Sequence, residues 1–252
     1  YNLQYASPDF GATLNSVTFI FLIITPILTM KILAEEKKNK TDQLLLTAPV
    51  SVWKVVLGKY LSMVTMYLIP VVIAGFYPLI MGRYGTVSYA MAYTALLGFF
   101  FLGCAQIAVG MFLSSVTESQ VIAAVLTFGV LFCSFMMDGI TSFFSDTAIT
   151  SMMAFLVLVI ILGVIIYQMT KSVVLSAGVS GVLAVVTLVV YIIKPTVYSG
   201  LIQKVLGLLA ISNQFDNFVG GILDMTGILY MLSVICIFVF LTIQCIQKRR
   251  WS

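Results

Sequence analysis

Runs of about twenty consecutive apolar residues recur along this chain, and no other feature restricts its fold so strongly. A run of that length spans a hydrocarbon core of about 30 Å as a helix. Inside lipid each backbone amide and carbonyl must find its partner within the segment, so such runs are helices. Seven are expected, at Leu14–Leu33, Val55–Met81, Val87–Leu113, Gln120–Met137, Met152–Met169, Val173–Ile193 and Thr226–Ile246. The short alternating segments of a membrane barrel are absent. The fold class is therefore all-α, a polytopic transmembrane helix bundle. Composition agrees: 61% of residues are hydrophobic and 9% charged, against about 25% charged in soluble domains. No stretch is long and polar enough for a soluble domain, so residues 1–252 read as one transmembrane domain.

Orientation follows from the basic residues. With the connections alternating between two sides, Arg83, Lys194 and Lys204 fall on one side and the other ten of the thirteen Lys and Arg on the other. The positive-inside rule then places Glu35–Lys54 and the C-terminal Lys248-Arg249-Arg250 in the cytoplasm. Residue 1 lies outside on this reading. A helix preceding Tyr1 would make eight spans, and a removed signal sequence is the competing explanation.

The polar excursion over residues 34–54 interrupts two apolar runs. Pro49 cannot continue a helix and disfavours helical geometry at Ala48. A short helix is expected over Thr41–Thr47, with Thr41 as N-cap and Asp42 in the first turn, where its charge meets the positive dipole end. Ser51 is placed to cap the next helix. Leu44, Leu45 and Leu46 form an apolar knob that can seat in a partner's groove or dip into the bilayer interface. A second turn, Ser114–Glu118, is another candidate contact on the same side, or a plain solvated connection. On the opposite side residues 195–224 carry Leu201, Ile202, Val205, Leu206, Leu208 and Leu209, spaced as an amphipathic interfacial helix or a covering loop. Gly220-Gly221 marks a turn before the last span.

Several chemistries lack their residues. There is no histidine, and the four cysteines all sit in apolar runs as packing residues without metal spacing. No GxxxxGK[ST] phosphate loop occurs. No ionisable residue sits in the middle of a span, which argues against an ion-coupled carrier and a hydrolase. The polar residues within spans, Asn15, Thr25, Thr29 and Gln106, suit hydrogen bonding between helices. Pro26, Pro70 and Pro78 can kink theirs. Gly110 with Ser114, and Ala177 with Gly181, have the small-xxx-small spacing of close helix contacts.

The segment TPILTMKILAEEKKNKTDQLLLTAPVSVWKVVLGKYLS resembles the signature region of type-2 ATP-binding-cassette (ABC) exporter permeases. It has a proline-bearing helix, an acidic pair with basic residues, a Thr-x-x-x-Leu-Leu run, Pro-Val-Ser and a Gly-Lys helix start. Within that family it is most similar to the gliding-motility-associated bacterial branch. GMFLSSVTESQVIAAVLTFGVL, SNQFDNFVGGILDMTGILYMLSV and FLTIQCIQKRRWS resemble later regions of the family in the same order. Relatives usually have six helices, so the pair at 152–193 looks like an insertion.

The resemblance implies the permease subunit of a bacterial exporter in the inner membrane, with its C-terminus cytoplasmic. It implies a second permease half, as homo- or heterodimer, and a separate ABC ATPase that carries ATP and magnesium, with no cofactor in this chain and no enzyme activity of its own. The ATPase-coupling residues would be Glu35, Glu36, Lys37, Lys38, Thr41, Asp42, Leu44, Leu45, Leu46 and Thr47. The alternative is a structural or assembly membrane protein whose cytoplasmic helix docks a non-ATPase partner.

Overall fold

The computed structural model describes residues 9–41, 51–143, 145, 147–170, 173–194 and 198–251, with the backbone alone at 138, 158, 161–170, 173–177, 179 and 249–251. Among the described residues the regular structure is helical throughout. In chain order the helices are α1 Phe10–Lys38, α2 Val52–Gly75, α3 Tyr77–Met81, α4 Tyr89–Val116, α5 Gln120–Ser142, α6 Ala148–Thr170, α7 Val173–Ile193, α8 Leu201–Gly207, α9 Asn213–Val219 and α10 Met225–Trp251. Helices stand at all seven expected spans. Within the described residues five stretches are long and apolar enough to cross a membrane, counting α2 and α3 as one.

Local chemistry sets the ends. Asp9 caps α1 by accepting from the Ala12 amide at 3.1 Å. At the other end Asn39 closes the helix and Lys40 takes a left-handed φ of 56°, the usual way a helix is stopped. Ser51 occupies the N-cap position of α2, but its side chain makes no capping bond. That corrects the expected cap. Of the three prolines only Pro78 stands at a break. It cannot donate to the carbonyl of Ala74, and the expected second span divides at Phe76 into α2 and α3. Pro26 and Pro70 lie within continuous helices.

The chain forms two compact units, residues 1–135 with 211–252 and residues 136–210. In the first, α4 is the buried centre, and α1, α2, α9 and α10 pack around it. Small residues let them approach. A Cβ at Gly98 would overlap the Phe218 ring, and one at Gly110 would overlap Thr29. The Gly110 half of the small-residue spacing is thus a real helix contact. A Cβ at Gly181, in the second unit, would meet nothing within 4 Å.

The second unit packs α6 against α7 and α8 against α6. Tyr198 ties it together, donating to the Thr187 carbonyl at 3.2 Å and meeting Phe155 and Tyr191 edge to face. The expected interfacial segment is therefore two short helices, α8 in this unit and α9 in the other. Its six apolar residues do not share one covered face, because Ile202 is buried while Leu208 and Leu209 are exposed. The deepest anchors lie in the polar-looking stretch that follows: Phe215 and Phe218 of α9 are fully buried. Gly221, at φ 78°, makes the turn expected before α10.

Candidate functional site

The lysine-rich end of the first unit gathers the last two turns of α1, the start of α2 and the ends of α4 and α10. Four of the ten expected coupling residues lie on α1. Glu36 pairs with Lys59 of α2, which also donates to the Ile32 carbonyl at 3.1 Å. Lys37 is buried and donates to the Ser115 carbonyl at the end of α4. Carbonyls there lack helical partners and carry the negative end of the dipole, so an ammonium is well placed. Glu35 is half-buried and Lys38 exposed. Thr41 is exposed and bonds back to the Glu36 carbonyl through its amide at 3.0 Å and its hydroxyl at 3.3 Å. Asp42, Leu44, Leu45, Leu46 and Thr47 lie outside the described residues, as does the expected helix beyond Thr41.

Ser114 and Ser115 are fully buried, which removes them from any surface contact. Of the turn, Val116 and Glu118 are exposed. The Ser114 hydroxyl accepts from the amides of Leu33 at 3.3 Å and Ala34 at 3.1 Å, and donates to the Met30 carbonyl at 3.2 Å. The Cys245 thiol of α10 also reaches the Ser115 carbonyl, at 3.3 Å. The sequence carried a signal for this joint in the Gly110–Ser114 spacing.

Deeper in the unit the polar pattern differs from expectation. Thr18 and Thr29 bond to carbonyls of their own helix, Leu14 at 3.1 Å and Thr25 at 2.9 Å. A short hydroxyl in a helix reaches its own preceding turn before it reaches a neighbour. Thr25 Oγ1 and Gln106 Oε1 are buried without a partner, and Asn15 is exposed. The bonds between helices come instead from tyrosines of α2. Tyr60 donates to the Cys104 carbonyl at 3.1 Å and Tyr67 to the Phe99 carbonyl at 2.7 Å. Tyrosine has the reach that threonine lacks.

Towards the opposite end a cavity of about 360 Å³ opens between α1 and the α2–α3 pair. Phe10, Phe21, Tyr67, Tyr77 and Phe99 line it, and Thr13 is its main polar contact. Phe21 meets Tyr67 and Phe99 edge to face at 5.0 and 5.1 Å. Asp224, just before α10, accepts from the Thr226 amide and from Asn217, both at 2.9 Å. The bonds from Thr226 and then Asn217 hold its carboxyl below the usual range. Among the described residues no three of His, Cys, Asp and Glu gather as a metal set.

Such a molecule is a multi-pass, all-helical membrane protein, apolar along its spans and polar at one end. The model of the family described as "ABC-2 family transporter protein" matches residues 2–250. The chain belongs to that family and is a membrane permease subunit of an ABC transporter, a transport component rather than a catalyst. No curated protein and no solved structure matches the chain.

Proposed function

We propose that this chain is the membrane half of an ATP-driven exporter in a bacterial inner membrane, with its C-terminus in the cytoplasm. A separate ABC ATPase grips the segment after α1, and two permease halves, alike or different, enclose the path. ATP and magnesium bind the ATPase, whose closure pulls on both permease halves through residues 41–47. The family match over residues 2–250 carries the reading. The absence of a phosphate loop from the sequence supports a separate motor. The ten-to-three division of basic residues supports the orientation. The order of motifs around Glu35–Lys59 supports export and kinship with the gliding-motility-associated branch.

Co-purification from native membranes in mild detergent tests it. A cassette ATPase is expected in the complex, and an intact complex that never contains one contradicts the reading. Leu45→Asp puts a charge into the apolar knob. It is expected to cut ATPase stimulation roughly tenfold, as an interface anchor would, while leaving the bundle folded. Unchanged stimulation in that variant would take the coupling role away from this segment.

A further inference from the structure

Within α1 itself the amides of Leu33 and Ala34 face the carbonyls of Thr29 and Met30. Here the Ser114 hydroxyl accepts from both amides and donates to Met30. A side chain of α4 thus bonds three backbone groups of α1, one turn before that continuous helix ends. One residue further on, the Ser115 carbonyl takes the buried Lys37 ammonium. Two consecutive residues of α4 thus hold α1 at two levels a turn apart, which fixes both its axial position and its rotation. Among the described residues α2 is joined at the same level through Lys59, on Glu36 and the Ile32 carbonyl. Deeper along α1 and α4, Thr18 and Thr29 bond within α1, and Thr25 Oγ1 and Gln106 Oε1 bond nothing. Contact there is by packing, as at Gly110 against Thr29.

We propose that Ser114, supported by Lys37 on Ser115, is the joint through which movement of the segment after α1 passes into α4. α4 is the right recipient because α1, α2, α9 and α10 all rest on it. A displacement at Lys38–Thr41 reaches α4 through the bonds of Ser114 and Lys37, and reaches α2 through Lys59, on Glu36 and the Ile32 carbonyl, and along the chain that leads into Val52. Ser114, fully buried, is a positioning residue that acts through α1. The inference rests on the reading of residues 41–47 as the ATPase handle.

The test uses the full chain co-expressed with the ATPase that co-purifies with the wild type. Ser114→Ala is expected to retain as much ATPase and a similar unfolding temperature. Its permease-dependent change in ATP turnover falls about 2- to 30-fold, the range of mutations that alter coupling without touching a ligand. Amide exchange at Leu33 and Ala34 becomes faster. Lys37→Met gives the same uncoupling, and Lys37→Arg, which keeps a cationic donor, stays close to wild type. Wild-type turnover in Ser114→Ala overturns the joint. If that variant fails to fold, Lys37→Met decides, and wild-type turnover there overturns the joint equally. A loss of bound ATPase in step with turnover also overturns it, because the defect is then in docking. A wild-type chain that binds no ATPase sinks the functional reading first and the joint with it.

Discussion

The two ends of the first unit hold their helices together by different physics. At the lysine-rich end the fastenings are directional: Ser114 on the backbone of α1, Lys37 on the end of α4, and Lys59 between Glu36 and Ile32. At the other end rings set into small residues lie beside the Tyr67 bond to the Phe99 carbonyl. Phe218 lies against Gly98, Phe215 meets Phe99 at 6.1 Å, and Phe21 bridges Phe99 and Tyr67. A hydrogen bond fixes register and transmits a pull, while ring packing fixes distance and tolerates a slide.

That division can be broken from the aromatic side. Phe218→Ala is expected to destabilise the unit by about 3–5 kcal/mol, since a fully buried ring leaves a cavity beside Gly98. ATP turnover per folded complex should hardly change. A folded Phe218→Ala complex that is uncoupled would erase the distinction between the two ends. Tyr67→Phe sharpens it. The ring stays and only the bond to the Phe99 carbonyl is lost, so the cost is about 0.6 kcal/mol, typical of one polar contact between membrane helices. A cost several times larger would mean that directional bonds govern this end as well.

The smallest expected effect concerns Asp224. Its folded-state pKa lies below the ordinary 3.8, because Thr226 and Asn217 donate to the carboxylate. Its contribution is therefore fully present above about pH 3.8 and is lost as pH falls through the lowered value. In unfolding measured against pH, the gap between wild type and Asp224→Asn should narrow below that point and stay constant above it. A gap that widens on acidification would reverse the assigned direction.

The spans were legible in the sequence because bilayer helices must satisfy their own backbone, which ties composition to structure with little help from neighbours. The turn at Gly221 was legible for a similar local reason. What could not be read depends on partners distant in the chain. Ser114 looks like any polar residue at a helix end until the amides of Leu33 and Ala34 lie beside it. Phe215 and Phe218 sit among Ser, Asn, Gln and Asp, and only the small surface of α4 makes them anchors. Thr25 and Gln106 illustrate the converse: residue types that suggest a bond between helices, on facing helices where neither oxygen has a partner. Of the proposed coupling residues, the sequence could not reveal that Lys37 is turned inward onto α4 while Lys38 faces outward.

The most direct test of the central claim is a contact measurement at the proposed handle. A Leu45→p-benzoylphenylalanine chain in native membranes, irradiated and then denatured, is expected to carry a cassette ATPase covalently attached at that position. Crosslinks to lipid or to another membrane protein, with the ATPase present in the complex but unlinked, would contradict the account.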